Sequence, residues 1–301
     1  MNPPPSTLFT APPEWQWLIV GYFFLGGIAG GAYFLAVLID LVGDPLERPL
    51  ARLGYLIAFP TVAVCGLLLT VDLRRPERFW HMLLQSETLR PMLKPWSPMS
   101  LGSWVLLLFG GFALVSFLAA LADDGRGRWP RLAALRPPGA LGTLVAVLGG
   151  LLALFVAGYT GVLLTVTNRP IWADTSLLGV VFLISGASTA AALLALLGRR
   201  RAGASVTGLH ALERFDSLML VLELIALVAL VISLGGMARV WLGAWGALLV
   251  LGVIGLGIVL PLALYRRSLR LGDASGAVAA TLVLIGGFLL RVVIILSSEG
   301  V

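Results

Sequence analysis

With 301 residues, 59% of them hydrophobic and only 12% charged, this protein has more apolar surface than a water-soluble core hides, and its mean hydropathy is +0.99. Soluble enzymes and nucleic-acid binders are excluded on that ground, even with a net charge of +6. One cysteine and two histidines also exclude an iron–sulfur cluster, which takes four ligands.

The apolar residues fall into eight runs, at roughly 17–42, 52–71, 99–121, 140–166, 174–197, 212–234, 242–265 and 277–296. A spanning helix needs about 20 mostly apolar residues. None of the runs alternates as a membrane strand would. The predicted fold class is all-α: a single integral membrane domain over residues 1–301 with eight transmembrane helices. Two four-helix bundles are one way to group them.

Residues 1–16 form a leading tail that Pro3, Pro4, Pro5, Pro12 and Pro13 keep extended, with Glu14 as its one charge. The first run is too long for a signal peptide, and no basic residue precedes it. It holds Gly26-Gly27-Ile28-Ala29-Gly30-Gly31, two overlapping small-xxx-small steps that let another helix, or a flat ligand, approach the backbone. Asp40 closes this run and reads as interfacial. The second run contains Cys65, read as a packing residue, and Pro60, which should kink it, as Pro261 should kink the seventh.

The connection over residues 72–98 opens Asp72-Leu73-Arg74-Arg75-Pro76-Glu77-Arg78-Phe79-Trp80-His81-Met82. Arginine and lysine near helix ends favour the cytoplasm. Thirteen basic residues lie in the connections opposite the termini and seven on the terminal side, with Arg291 inside the last run. The expectation is a bacterial inner membrane with both termini periplasmic. Five of those seven crowd into 72–98, against the rule. Two readings stand: a solvated loop anchored by Trp80 and Trp96, or a docking surface for an acidic partner built on Arg74, Arg75, Arg78, Trp80 and His81. His81 and His210 fall in connections on opposite sides, so no bis-histidine haem can form between them.

Ionisable groups in hydrocarbon need a reason. The sixth run carries Glu213, Asp216 and Glu223, whose steps of three and seven residues keep them on one helical face. They read either as half a proton path or as structural carboxyls. Arg291 lies roughly 7 Å, and Tyr159 about 10 Å, below the terminal-side ends of their runs. Tyr22 is similarly shallow. With Asp72 at the same depth, the four could line one amphipathic pocket; singly, the tyrosines read as interfacial aromatics and Arg291 as a snorkelling side chain. A protein with these side chains and no metal ligand set handles electrons only through an organic carrier and a partner's metals.

Four stretches carry a resemblance. They are Tyr22-Phe23-Phe24-Leu25 with the glycines that follow, Arg75-Pro76-Glu77-Arg78-Phe79-Trp80, Tyr159-Thr160-Gly161 with Asn168-Arg169-Pro170-Ile171-Trp172, and Leu290-Arg291-Val292-Val293. In order and spacing the chain resembles the NrfD/PsrC family, the membrane subunits of polysulfide-reductase-type complexes. The resemblance implies a menaquinone- or ubiquinone-binding subunit, without haem or iron–sulfur cluster of its own and not catalytic alone. It would exchange electrons with a periplasmic four-cluster iron–sulfur subunit, itself in contact with a molybdopterin catalytic subunit. It also implies that Tyr159 and Tyr22 hold the quinone, with Asp72 as the proton-exchanging acid. Ile19 stands where some relatives carry an amide, and Tyr22 where some carry histidine. Arg291 is read as the cation that keeps Asp72 charged. Two other classes remain: a secondary transporter with its site at Glu223 near mid-membrane, and a plain membrane anchor.

Overall fold

The computed structural model describes residue 13 and residues 15–73, 75–123, 130–200, 205–271 and 273–300. Among these, eight helices are long and apolar enough to cross a membrane. They are α1 (Trp17–Val42), α2 (Arg48–Asp72), α3 (Pro98–Asp123), α4 (Ala140–Thr165), α5 (Leu178–Gly198), α6 (Val206–Leu234), a composite α7, and α8 (Asp273–Leu296). α7 comprises Ala244–Ala247, a π-helical run Leu248–Val259, and Leu260–Leu271. The π-helical run ends two residues before Pro261, which has no backbone N–H to give to the usual helical acceptor.

The eight spans match the apolar runs, with one shift that matters. α6 starts six residues earlier than its run because Ser205 caps it, its hydroxyl accepting the Gly208 N–H at 2.9 Å. His210 is therefore helical, not in a connection as the sequence suggested. α6 stops at Gly235, whose φ of +51° a side chain would strain.

α1 lies in the middle of the molecule. A Cβ added at Gly31 would fall 2.6 Å from the Ala190 Cβ and 2.7 Å from the Gly186 carbonyl of α5, and one at Gly30 would run into the Ala153 carbonyl of α4. The glycine run of α1 is thus spent on helix packing. One core joins α1–α4 through Tyr33, Tyr55, Phe109 and Val156; a larger one ties α1, α4 and α5 to α6–α8. Since α1 and α4 both pack directly on α5, the two groups of helices are fused. Around the outside, side chains such as Leu67, Leu151, Ile232 and Leu251 face outwards, a surface suited to lipid and not to water.

At the face where α1 begins and α8 ends, the segment after α4 works as a clasp. The Arg169 guanidinium donates to the carbonyls of Pro13 (2.5 Å) and Ser298 (3.3 Å). Trp172 stacks on Trp15 and donates its indole N–H to the Ile294 carbonyl at 2.8 Å.

Candidate functional site

A cavity of about 560 Å3 opens under this same face, between α1, α2, α3 and α4. Its size falls in the range of about 300–1,000 Å3 usual for small-molecule sites. Three of the predicted site residues line it: Tyr22 from α1, Asp72 from the end of α2 and Tyr159 from α4. Both tyrosines are more than nine-tenths buried. Neither phenol hydroxyl has a hydrogen-bond partner among the described residues, and neither is sealed off, so both are open to an acceptor that enters the cavity.

Local sequence explains their placement. Gly102 of α3 leaves room for the Tyr159 ring, since a Cβ there would collide with the phenol. Tyr159 stacks on Phe155 one turn away, at 5.6 Å and 15°. Tyr22 leans on Phe23, and its own carbonyl accepts the Cys65 thiol at 3.8 Å. Ile19 also lines the cavity as an apolar wall.

The cavity's roof is the 72–98 connection. Pro76–Met82 forms a short 3-10 helix, and Phe79, Met82 and Leu83 reach down into the lining. Arg75 and Arg78 point away and are exposed, as are Arg90 and Lys94 further on. Trp80 and His81 are half-buried with their rings 3.9 Å apart, so they brace the connection more than they face outwards. Arg74 lies outside the described residues. Phe79, Leu89, Leu93 and Trp96 add apolar surface beside the exposed cations.

Arg291 is not part of this cavity, and the expected pairing with Asp72 is corrected. It is completely buried on the other side of α1. Nη1 donates to the Ser185 hydroxyl at 2.5 Å and the Gly287 carbonyl at 2.9 Å, and Nη2 to the Phe182 carbonyl at 3.3 Å. The guanidinium lies over the Phe182 ring, 5.0 Å from its centre. Its charged neighbour is Glu223, which shares Ser185 with it. Position in the sequence sets the depth of Arg291 along α8 but not the direction in which it points.

The acids of α6 do share one face, and all three are buried. Glu213 pairs with Arg199. Asp216 accepts from the Ser188 hydroxyl at 2.5 Å and the Tyr265 phenol at 2.7 Å. Glu223 meets Ser185 and Arg291. Asp216 and Glu223 are about 10 Å apart along the helix, and Ser188 and Ser185 on α5 stand beside that gap. Sequence reading missed these hydroxyls and Tyr265; the available signal was small polar residues at three-residue spacing in an otherwise apolar helix.

Asp40, two residues before the end of α1, makes a buried ion pair with Arg136 at 2.8 Å. Among the described residues no group of three or more His, Cys, Asp or Glu is placed to hold a metal ion.

Comparison with known proteins gives a consistent result. The family described as Polysulphide reductase, NrfD matches residues 9–300. Over 271 residues the sequence is 31% identical to the C subunit of the polysulfide reductase of Wolinella succinogenes, covering 83% of this protein and 82% of that one. It is 30% identical over 314 residues to Protein NrfD of Escherichia coli, covering 95% of each.

Proposed function

The chain belongs to the NrfD family, and on that premise we propose that it is the quinone-reactive membrane subunit of a multi-subunit oxidoreductase. The observation that carries this reading is the pair of buried, partnerless phenols, Tyr22 and Tyr159, facing one cavity with Asp72. A quinone has two carbonyl oxygens that accept hydrogen bonds, a flat ring that suits an apolar slot, and the capacity to carry two electrons with two protons. Menaquinone and ubiquinone share these features.

The residues then have distinct tasks. Tyr159 and Tyr22 donate hydrogen bonds and set the ring's position. Asp72, at the mouth of the cavity, exchanges protons with the aqueous side. Phe79, Met82 and Leu83 close the roof and keep water out of the apolar part. The exposed Arg75 and Arg78 above the roof suit an acidic electron-transfer partner, which we take to be a periplasmic iron–sulfur subunit in contact with a molybdopterin subunit. A partner docked there would sit on the roof of the cavity that the phenols face. On this reading both termini are periplasmic and the protein lies in a bacterial inner membrane.

The decisive experiment is Tyr159→Phe in the assembled complex. It should lower quinol-linked turnover by about 10²-fold, within the range that one positioned hydrogen-bonding group supplies, while subunit composition stays unchanged. Wild-type turnover in the variant would end the Tyr159 assignment.

One further observation supports a second role for the α6 acids. Glu213, Asp216 and Glu223 run from the opposite face to mid-membrane, with Ser188, Ser185 and Tyr265 filling the spaces between them. We propose a proton path there. The transporter reading is not favoured, because Glu223, its candidate site, is 3% exposed and lies outside the cavity.

A further inference from the structure

Resting on the quinone reading, the geometry points to a second subsite: a glycine-floored groove along the α2–α3 seam that takes the ligand's isoprenoid tail and opens sideways to the bilayer. The cavity is not round. On α2 its lining runs down one helical face from Leu73 to Phe59, and on α3 down the facing stripe from Met99 to Leu114, in steps of three and four residues. Each stripe covers about 20 Å of helix. The α1 and α4 contributions, by contrast, lie at the upper end alone, where the phenols are. The space is therefore broad beneath the roof and narrows to a channel between two helices that reaches the middle of the membrane.

Polarity follows the same gradient. Tyr22, Tyr159, Asp72, Thr70 and Ser103 sit in the upper part, whereas below them the walls are aliphatic, aromatic or glycine. Phe59, packed on Phe117 at 5.3 Å, lies at the lower end of the channel. An amphipathic ligand is selected, with its polar head at the top and its apolar tail below.

The glycines of this seam differ from those of α1. A Cβ added at Gly66, Gly110 or Gly111 would meet no atom within 4 Å. Helix packing therefore does not require glycine at these positions, although glycine inside a helix costs roughly 0.5–1 kcal/mol relative to alanine. What the missing side chains leave is room. Along the same edge Ala63, Leu107, Gly111 and Leu114 are exposed, so the groove has a lipid-facing side through which a tail can slide without passing the roof.

The test compares Gly66→Leu and Gly110→Leu with their alanine counterparts in the purified full-length protein in lipid nanodiscs. Binding is followed by tryptophan fluorescence quenching, which Trp15 in the cavity wall should report. The probes are menadione, which has the head and no tail, and a menaquinone with a multi-isoprene tail. In the wild type and the alanine variants, the tailed probe should bind more tightly than menadione. In the leucine variants its affinity should fall by about tenfold, as expected where a few methylenes compete for one apolar pocket, with menadione affinity kept within about twofold. Retained menadione binding certifies the fold. Unchanged affinity for the tailed probe in both leucine variants would overturn the groove and leave it to phospholipid acyl tails, with the head-group site intact. Failure of the wild type to bind either probe would overturn the quinone reading itself.

Discussion

Buried charge sets the terms at the scale of single residues. Arg136 and Asp40 satisfy each other at the face opposite the termini, with side chains 5% and 0% exposed. Breaking a buried ion pair by removing one partner typically costs about 3–5 kcal/mol. Asp40→Asn should therefore lower Tm in detergent sharply, and a paired apolar replacement of both residues should recover much of the loss. Glu223 is the counter-charge of the buried Arg291, whose bonds to Ser185, Gly287 and Phe182 remain if Glu223 becomes neutral. Glu223→Gln should therefore lower Tm while the subunit still folds and assembles. On the proton-path reading it should abolish the turnover-linked membrane potential in proteoliposomes; a wild-type potential would remove that reading. The three α6 acids were legible in sequence because spacing along one helix fixes their common face. Arg291 was not: in a helix apolar on nearly every side, position along the sequence sets depth, and the rotation about the axis comes from neighbours that sequence does not show.

Glycine has two opposite meanings at the scale of helices. In α1, Gly30 and Gly31 are where α4 and α5 come closest, and a larger residue must push them apart. Gly31→Leu should cost at least about 1–3 kcal/mol, the range for an overfilled interior, seen as a fall in Tm; Gly66→Ala should leave Tm unchanged or slightly raised. The eight spans were readable because length and hydropathy alone define a membrane crossing. The α6 start was not, since the Ser205 cap extends the helix through the polar residues Thr207 and His210. Nor could composition distinguish packing glycines from those facing open space. The 72–98 connection was legible as an anomaly of charge, and the structure adds that Phe79, Met82 and Leu83 of the same segment roof the cavity.

For the whole molecule, the layout divides labour between the two sides of α1. The cavity with its phenols occupies the α1–α4 side, and the row of acids the α5–α8 side, with the glycine-rich α1 as the shared wall. Partner binding belongs at this scale as well. If the exposed arginines above the roof hold an acidic subunit, Arg75→Glu with Arg78→Glu should release it on native gels. The wild-type complex should loosen as salt rises past about 0.1 M, where the screening length is about 10 Å. Binding of menadione by the membrane subunit should survive both treatments, since neither arginine lines the cavity.

The clasp at Arg169 has a topological consequence. One guanidinium touches backbone on both sides of the eight crossings, at Pro13 before α1 and at Ser298 after α8. In path, the molecule is close to a ring. A short linker from residue 13 to residue 298 would close it without bending either helix, and the order in which the helices are threaded through the membrane would then become a matter of where the ring is cut. Circularly permuted versions would test whether this fold depends on α1 being inserted first or only on α1 ending up between its neighbours.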